Sequence, residues 1–392
     1  MRELFCFFSY AYFTLFFLER SDSSAELGWR CTLYDNRCLV FVDNTDPDNL
    51  AAVLALANVK FRTELMGVVV TGRAANFNRD DPTDTVKIVD SAIALRINTS
   101  RMKNFLEKSG YGRVPVYMGT SSPHTLIPHD AHIDERDFDD LTPGQIKNAE
   151  NLIPPSRMNS RGTIGDLTQI LTKDRANIDV VVGGPMTDLF MLILMFPEFA
   201  QQIRSVHAQM GFFGFGETGL MEFDGKPRGK RQFNAACDPY AAHHVLMNLD
   251  APVFLYPSDV TRVNGIGFSN PDELARFLED TPATRELTRI YRIAYEKMVK
   301  PRGEKIFVHD FAPVLGYLQW LSHGCSYHKN GIFYRVKPIK VTQVPFRDEE
   351  RDRWGEIDIE FMDEPSYDPK SRFVAVKVNE QAYLGEMRNL LK

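Results

Sequence analysis

Cysteine is scarce in this chain, and its spacing is not that of a metal site. Five residues in 392, Cys6, Cys31, Cys38, Cys237 and Cys325, form no CxxC pair and no paired clusters, which argues against a zinc-thiolate centre and a dithiol redox motif. Neither sign of charge dominates: 46 Lys and Arg stand against 52 Asp and Glu, a net of −6. Without a dense Lys/Arg stripe the chain lacks a counterion-releasing surface for polyanions, and nucleic acid is not expected as a partner. Repeats and low-complexity segments are absent. A composition of 44% hydrophobic and 25% charged residues belongs to a globular chain, not to a disordered, collagenous or multi-span membrane one.

One long hydrophobic run is present. It extends from Leu4 to Leu18, broken only by Ser9 and Thr14, and is short for a membrane span. Followed by the polar stretch Glu19–Glu26, it fits the apolar core of a secretory signal or anchor, although Arg2 is offset by Glu3 and no A-x-A cleavage site follows. Residues 1–37 therefore read as a leader and polar linker, and 38–392 as one domain. The expected location is secreted or membrane-anchored if the run is a signal, and cytoplasmic otherwise. Removing the leader would leave Cys31 and Cys38 close enough in sequence to pair, and Asn98-Thr99-Ser100 fits a glycosylation acceptor.

From Cys38 onward the pattern is α/β. Leu39-Val40-Phe41-Val42 is short, apolar and β-branched, as a strand buried on both faces is, and Leu50–Ala57 has helical composition. Further strands are expected at Leu65–Thr71, Val114–Met118, Ile178–Val182, Ile203–Met210, Pro252–Tyr256 and Phe373–Val378. Helical stretches such as Thr187–Phe196 and Pro239–Leu249 separate most of them, and Glu273–Met298 reads as inserted helices. This alternation implies a mostly parallel sheet covered on both sides. Asp130–Arg161 and Gly211–Arg231 look like long loops, which usually carry the site in such a fold.

The segment Asp43-Asn44-Thr45-Asp46-Pro47-Asp48-Asn49 sets three carboxylates and two amides just past the first strand, where open α/β sheets bind ligands. Carboxylates this close repel unless a cation neutralises them, and an oxygen-rich set points to Ca²⁺ or Mg²⁺. The competing reading has Asp46 and Asp48 capping the helix near Leu50 and Asp43 solvated. A haloacid-dehalogenase phosphatase is set aside, because its nucleophile motif needs Asp-x-Asp and the pair here is Asp43 and Asp46. A second cluster, His309-Asp310, follows Ile306-Phe307-Val308 and precedes Ala312–Leu318. Taken alone, it reads as a helix cap beside a satisfied histidine.

Between these clusters come Gly183-Gly184-Pro185-Met186-Thr187-Asp188-Leu189, Phe196-Pro197-Glu198, Met210-Gly211, Gln232-Phe233-Asn234 with Asp238-Pro239 and Ala241-Ala242, and Ser258-Asp259-Val260-Thr261. In this order they resemble the inosine-uridine nucleoside hydrolase family, whose members carry Gly-Pro-Leu-Thr-Asn, Met-Gly-Gly, Glu-Phe-Asn-x-x-x-Asp-Pro-x-Ala-Ala and Asp-Val-Thr segments. The resemblance runs from about Cys38 to the C-terminus. It implies a three-layer αβα domain that hydrolyses the N-glycosidic bond of a ribonucleoside or related N-riboside with one Ca²⁺, as in purine and pyrimidine salvage.

Carried over residue by residue, the resemblance makes Asp43, Asp48, Asp310 and the carbonyl of Gly183 the metal ligands. Asp43, Asp46 and His309 become the catalytic groups, and Asn49, Gln232 and Asn234 the substrate contacts. The cation would lower the pKa of a water, a carboxylate would take its proton, and His309 could assist departure of the base. Carboxylates and hydrogen bonds around the sugar would stabilise an oxocarbenium-like transition state. Expected partners are the small-molecule nucleoside or N-riboside and, left open, further copies of the chain in a homo-oligomer.

The chain also departs from the family. The family's first motif is Asp-x-Asp-Pro-Gly-x-Asp-Asp, and two registers onto it are open. One aligns Asp46-Pro47 and Asp48-Asn49 with the family's Asp-Pro and final pair, turning a metal-binding carboxylate into the Asn49 amide. The other, preferred here, keeps Asp43 and Asp48 at the family's five-residue separation. Gln232 stands where the family has a ribose-binding Glu, a family Asn falls near Arg73, and no asparagine lies between Gly211 and Phe233. The alternative function is accordingly a catalytically weakened member that acts as a ligand-binding or interaction protein.

Overall fold

A computed structural model of the chain describes residues 36–43, 47–59, 63–71, 88–89, 91–120, 133–134, 164–173, 177–214, 222–223, 226–227, 231–365 and 370–392. The hydrophobic run, Asp46, Arg73 and most of the loops Asp130–Arg161 and Gly211–Arg231 lie outside these residues. Among the described residues no helix is long and apolar enough to cross a membrane.

Nine strands form the main sheet: β1 Arg37–Val42, β2 Glu64–Val70, β3 Val116–Met118, β4 Ile178–Val182, β5 Ile203–Ala208, β6 Val253–Leu255, β7 Tyr334–Gln343, β8 Asp358–Phe361 and β9 Arg372–Val378, in the order β8-β7-β9-β6-β5-β4-β1-β2-β3. From β3 across to β9 every pairing is parallel, and β7 runs antiparallel to both of its neighbours. All seven strands expected from the sequence are present. The two it did not suggest, β7 and β8, extend the sheet on one side.

The alternation in β1 shows why both faces must be covered. Cys38, Val40 and Val42 pack into one apolar cluster and Leu39 and Phe41 into another, all essentially without solvent contact. The first cluster is closed by α1 Pro47–Asn58, α2 Ser91–Lys108, α8 Pro282–Ala294, α9 Phe311–Ser322 and α10 Glu380–Leu390, the second by α3 Ile164–Lys173, α4 Thr187–Met195 and α6 Pro239–Asn248. Two short helices, α5 Phe233–Cys237 and α7 Ser258–Thr261, lie at strand ends. Each fully buried Leu, Val or Phe contributes about 1.5–3 kcal/mol. The wholly apolar burial of Leu50–Ala57 therefore fixes α1, and with it Asn49 in its first turn, beside the end of β1.

Two sequence expectations are corrected. Cys38 is a free thiol buried in β1, its pKa pushed well up by burial and by Asp179, so the Cys31–Cys38 pairing does not form. Asn98 is buried inside α2, and the neighbouring Thr99 hydroxyl donates to Leu95 O. A glycan has no room there.

Candidate active site

The chain runs from β1 outward to β2 and β3, then returns to place β4 on the other side of β1. That reversal opens a crevice at the carboxyl ends of β1 and β4, the place where ligands bind in open α/β sheets. Register aligns the rim: Phe41 pairs with Val182, and Val182 with Ala208, so Asp43, Gly183 and Gln209 emerge at neighbouring strand ends.

Close backbone approach gathers the acidic groups. Gly183 N–H donates to Phe41 O at 2.8 Å, pressing the Gly183-Gly184 step against the end of β1. A Cβ built on Gly184 would lie 2.7 Å from Asp43 Cβ and 2.8 Å from its backbone nitrogen. On Gly183 it would lie 2.9 Å from Asn49 Oδ1 and 3.0 Å from Asp310 Cγ. Only a residue without a side chain admits these contacts. Asn49, fully buried in the first turn of α1, donates from Nδ2 to Asp43 Oδ1 at 2.7 Å. Asp310 precedes α9 but makes no side-chain capping bond to it, so the helix-cap reading is not realised. Asp48 is half-buried on α1, and both Asp48 and Asp310 act on the Tyr383 hydroxyl, whose pKa is raised first by burial and then by these two carboxylates.

The Asn234 amide closes the second side of the crevice. Its two Nδ2 hydrogens are shared among three acceptors, Gly183 O at 2.8 Å, Gln209 O at 2.9 Å and Gln209 Oε1 at 2.8 Å. Gln232 caps α5 by accepting from Ala235 N–H at 3.1 Å, and its Nε2 donates to Gln209 Oε1 at 3.0 Å. His309 is half-buried and hydrogen-bonded through Nδ1 to Thr261 Oγ1 at 2.8 Å. Desolvation and the Arg262 charge lower its pKa to about 3, so the imidazole is neutral at neutral pH. The rest of the Ser258–Thr261 segment is structural: Asp259 Oδ2 accepts from Phe213 N–H at 2.9 Å and tethers the chain after Gly211. Asp238 likewise accepts from Thr187 and from Ala241 N–H, joining α4 to the start of α6.

Asp43, Asn49, Gly183 and Asp310 thus meet at one point. Asn234 is bonded to the Gly183 carbonyl, Gln232 lies one amide further out, and His309 stands beside Asp310. Asp46 lies outside the described residues. Among the described residues no three His, Cys, Asp or Glu side chains gather as a metal cluster. The set at the Gly183 step is instead two carboxylates with amide and backbone oxygens, all hard donors of the kind Ca²⁺ takes. Gln209 was missed from the sequence. Its only signal is an amide directly after the apolar end of β5, at a strand end that faces the crevice.

A sequence model described as inosine-uridine preferring nucleoside hydrolase matches residues 40–387. Nothing among curated protein sequences matches significantly. Among solved structures, a plant nucleoside hydrolase superposes with a TM-score of 0.59 at 16% identity, covering 91% of this chain and 99% of that one. A purine-preferring ribonucleoside hydrolase from Gardnerella vaginalis gives 0.59 at 17% identity over 91% and 98%. An inosine-guanosine nucleoside hydrolase gives 0.58 at 14% over 91% and 98%. At these identities the likeness is one of fold.

Proposed function

The chain belongs to the inosine-uridine preferring nucleoside hydrolase family, and from that premise we propose that it hydrolyses the N-glycosidic bond of a ribonucleoside or related N-riboside, with one Ca²⁺ held by Asp43, Asp310 and the Gly183 carbonyl; Asp48, the third carboxylate expected from the sequence, does not gather with the other two. The observation that carries this reading is the convergence of Asp43, Asn49 and Asp310 on the Gly183-Gly184 step. When bound, Ca²⁺ would lower the pKa of water and fix sugar hydroxyls.

The chain's own residues do the rest. Asp43, oriented by the Asn49 amide, is the acceptor for the water proton, with Asp46 of the same turn beside it in sequence. The carboxylates under the sugar stabilise the positive charge that grows at its anomeric carbon. His309, held neutral and oriented by Thr261, can offer the departing base a hydrogen bond but not an imidazolium proton.

A second reading, ligand binding without turnover, is favoured by the amide Gln232 at a place where the resemblance expects a carboxylate and, in the register that aligns Asp48-Asn49 with the family's final pair, by the amide Asn49 as well. Incubating the full chain with a panel of ribonucleosides and N-ribosides, with and without a calcium chelator, tests both. Chelator-sensitive release of free ribose supports the hydrolase, and ligand binding without ribose release supports the second reading.

A further inference from the structure

Gln209 is the hub of a chain of amides whose orientations are fixed from both ends. Backbone carbonyls can only accept, so the contacts of Asn234 with Gly183 O and Gln209 O assign its Nδ2 to them. The Gln209 atom facing that Nδ2 must then be the carbonyl Oε1. A third amide, Gln232, meets the same Oε1 and must therefore present Nε2, which turns its own oxygen to the Ala235 N–H. Two donors use both lone pairs of Gln209 Oε1. What remains is Gln209 Nε2 and Asn234 Oδ1. Neither has a partner among the described residues, and neither is among the enclosed polar atoms that lack one, so both atoms keep contact with solvent although the two residues are at least 95% buried.

We propose that Gln209 is a substrate-contacting, specificity-determining residue, its Nε2 donor and the adjacent Asn234 Oδ1 acceptor forming a neutral pair that takes hydroxyls of the ribose. The inference rests on the N-riboside reading and adds a contact to it. Gln232, with both ends engaged by Ala235 and Gln209, orients Gln209 and is a positioning residue. A neutral donor on this side of the crevice favours sugar oxygens that accept, and an uncharged pair contributes selectivity between hydroxyl patterns more than stabilisation of charge.

Gln209→Glu separates contact from scaffolding. Its carboxylate still accepts from Asn234 and Gln232, but the outward donor becomes an acceptor. With inosine and its 2′-, 3′- and 5′-deoxy analogues as substrates, the variant should lose about 10- to 100-fold in kcat/KM on inosine. On the one analogue that lacks the contacted hydroxyl it should lose less than about 2-fold. An equal loss on all four, or no loss on any, would overturn the proposal.

If the wild type releases no ribose from any of them, the hydrolase reading fails by itself, and calorimetric binding of D-ribose decides the contact. Weaker binding by Gln209→Glu upholds it, while equal binding, or none by the wild type, overturns it. Should the variant not fold, the side-chain amide resonance of Gln209 in the wild type must shift on adding D-ribose, and an unmoved resonance refutes the contact.

Discussion

Gly183→Ala probes the acidic crevice with a single methyl. The new Cβ would sit 2.9 Å from Asn49 Oδ1, 3.0 Å from Asp310 Cγ and 3.2 Å from Asp310 Cβ, against roughly 3.5–4.0 Å for unstrained carbon contacts. Asn49 cannot swing aside without breaking its 2.7 Å bond to Asp43, and two atoms of Asp310 near the backbone are met at once. The methyl must therefore push Asp310, a group assigned to the cation, and Asn49, which orients Asp43, by about half an ångström or more. Overpacking of this kind costs about 1–3 kcal/mol, and disturbing the groups that orient metal ligands lowers affinity roughly 10- to 100-fold. Calcium titration by calorimetry, with thermal unfolding in chelator alongside, reads both quantities. Gly385→Ala is the matched control, because its Cβ meets nothing within 4 Å inside α10 and should raise stability by about 0.5–1 kcal/mol without touching calcium. Calcium affinity in Gly183→Ala within about 2-fold of wild type would mean that the cation does not bind at this step.

Three further outcomes are expected. Asn234→Ala, which removes the amide joining Gly183 O to Gln209, should lower kcat/KM on ribonucleosides at least 10-fold, and wild-type kinetics would refute its place at the sugar. Gln232→Glu keeps the α5 cap but sets an acceptor against Gln209 Oε1; denaturant unfolding at pH 7 should show a loss of about 2–4 kcal/mol that shrinks in acid as the new carboxyl is protonated, and an equally stable variant would contradict the amide chain. His207, buried between Ser205 and Tyr256, has its pKa lowered to about 3 by desolvation and then by Arg204. Because the folded value lies below the unfolded ~6.5, its contribution is complete above pH 6.5 and is lost as pH falls toward 3, by up to about 1.4 kcal/mol per unit; His207→Gln should flatten that slope in urea unfolding at pH 7, 6 and 5, and an unchanged slope would assign it to other groups.

The parallel strands were legible because burial on both faces writes them as short apolar runs, RCLVFV and IDVVV among them. The strand β7 was not, although its burial alternates along YRVKPIKVTQ. Pro338 in its middle argues against an interior strand, yet the proline faces Phe373 across the antiparallel ladder and its carbonyl accepts from Met362 N–H. Asp43 and Asp310 could be picked out because each acid follows an apolar strand or segment at the ligand-binding end. Asn49 was reached only through the resemblance, and Gln209 carries no more than an uncharged amide after a strand. Their roles depend on which backbone groups the return of β4 beside β1 brings within hydrogen-bonding distance, and residue spacing along the chain does not encode that.

Calcium-dependent N-riboside hydrolysis is measured as free ribose released when the purified full chain, supplied with calcium, is incubated with a panel of ribonucleosides and N-ribosides. Ribose should be released from at least one member, and the release should be abolished by chelator and by Asp310→Ala. No ribose from any member, or release indifferent to both chelator and Asp310→Ala, would contradict it.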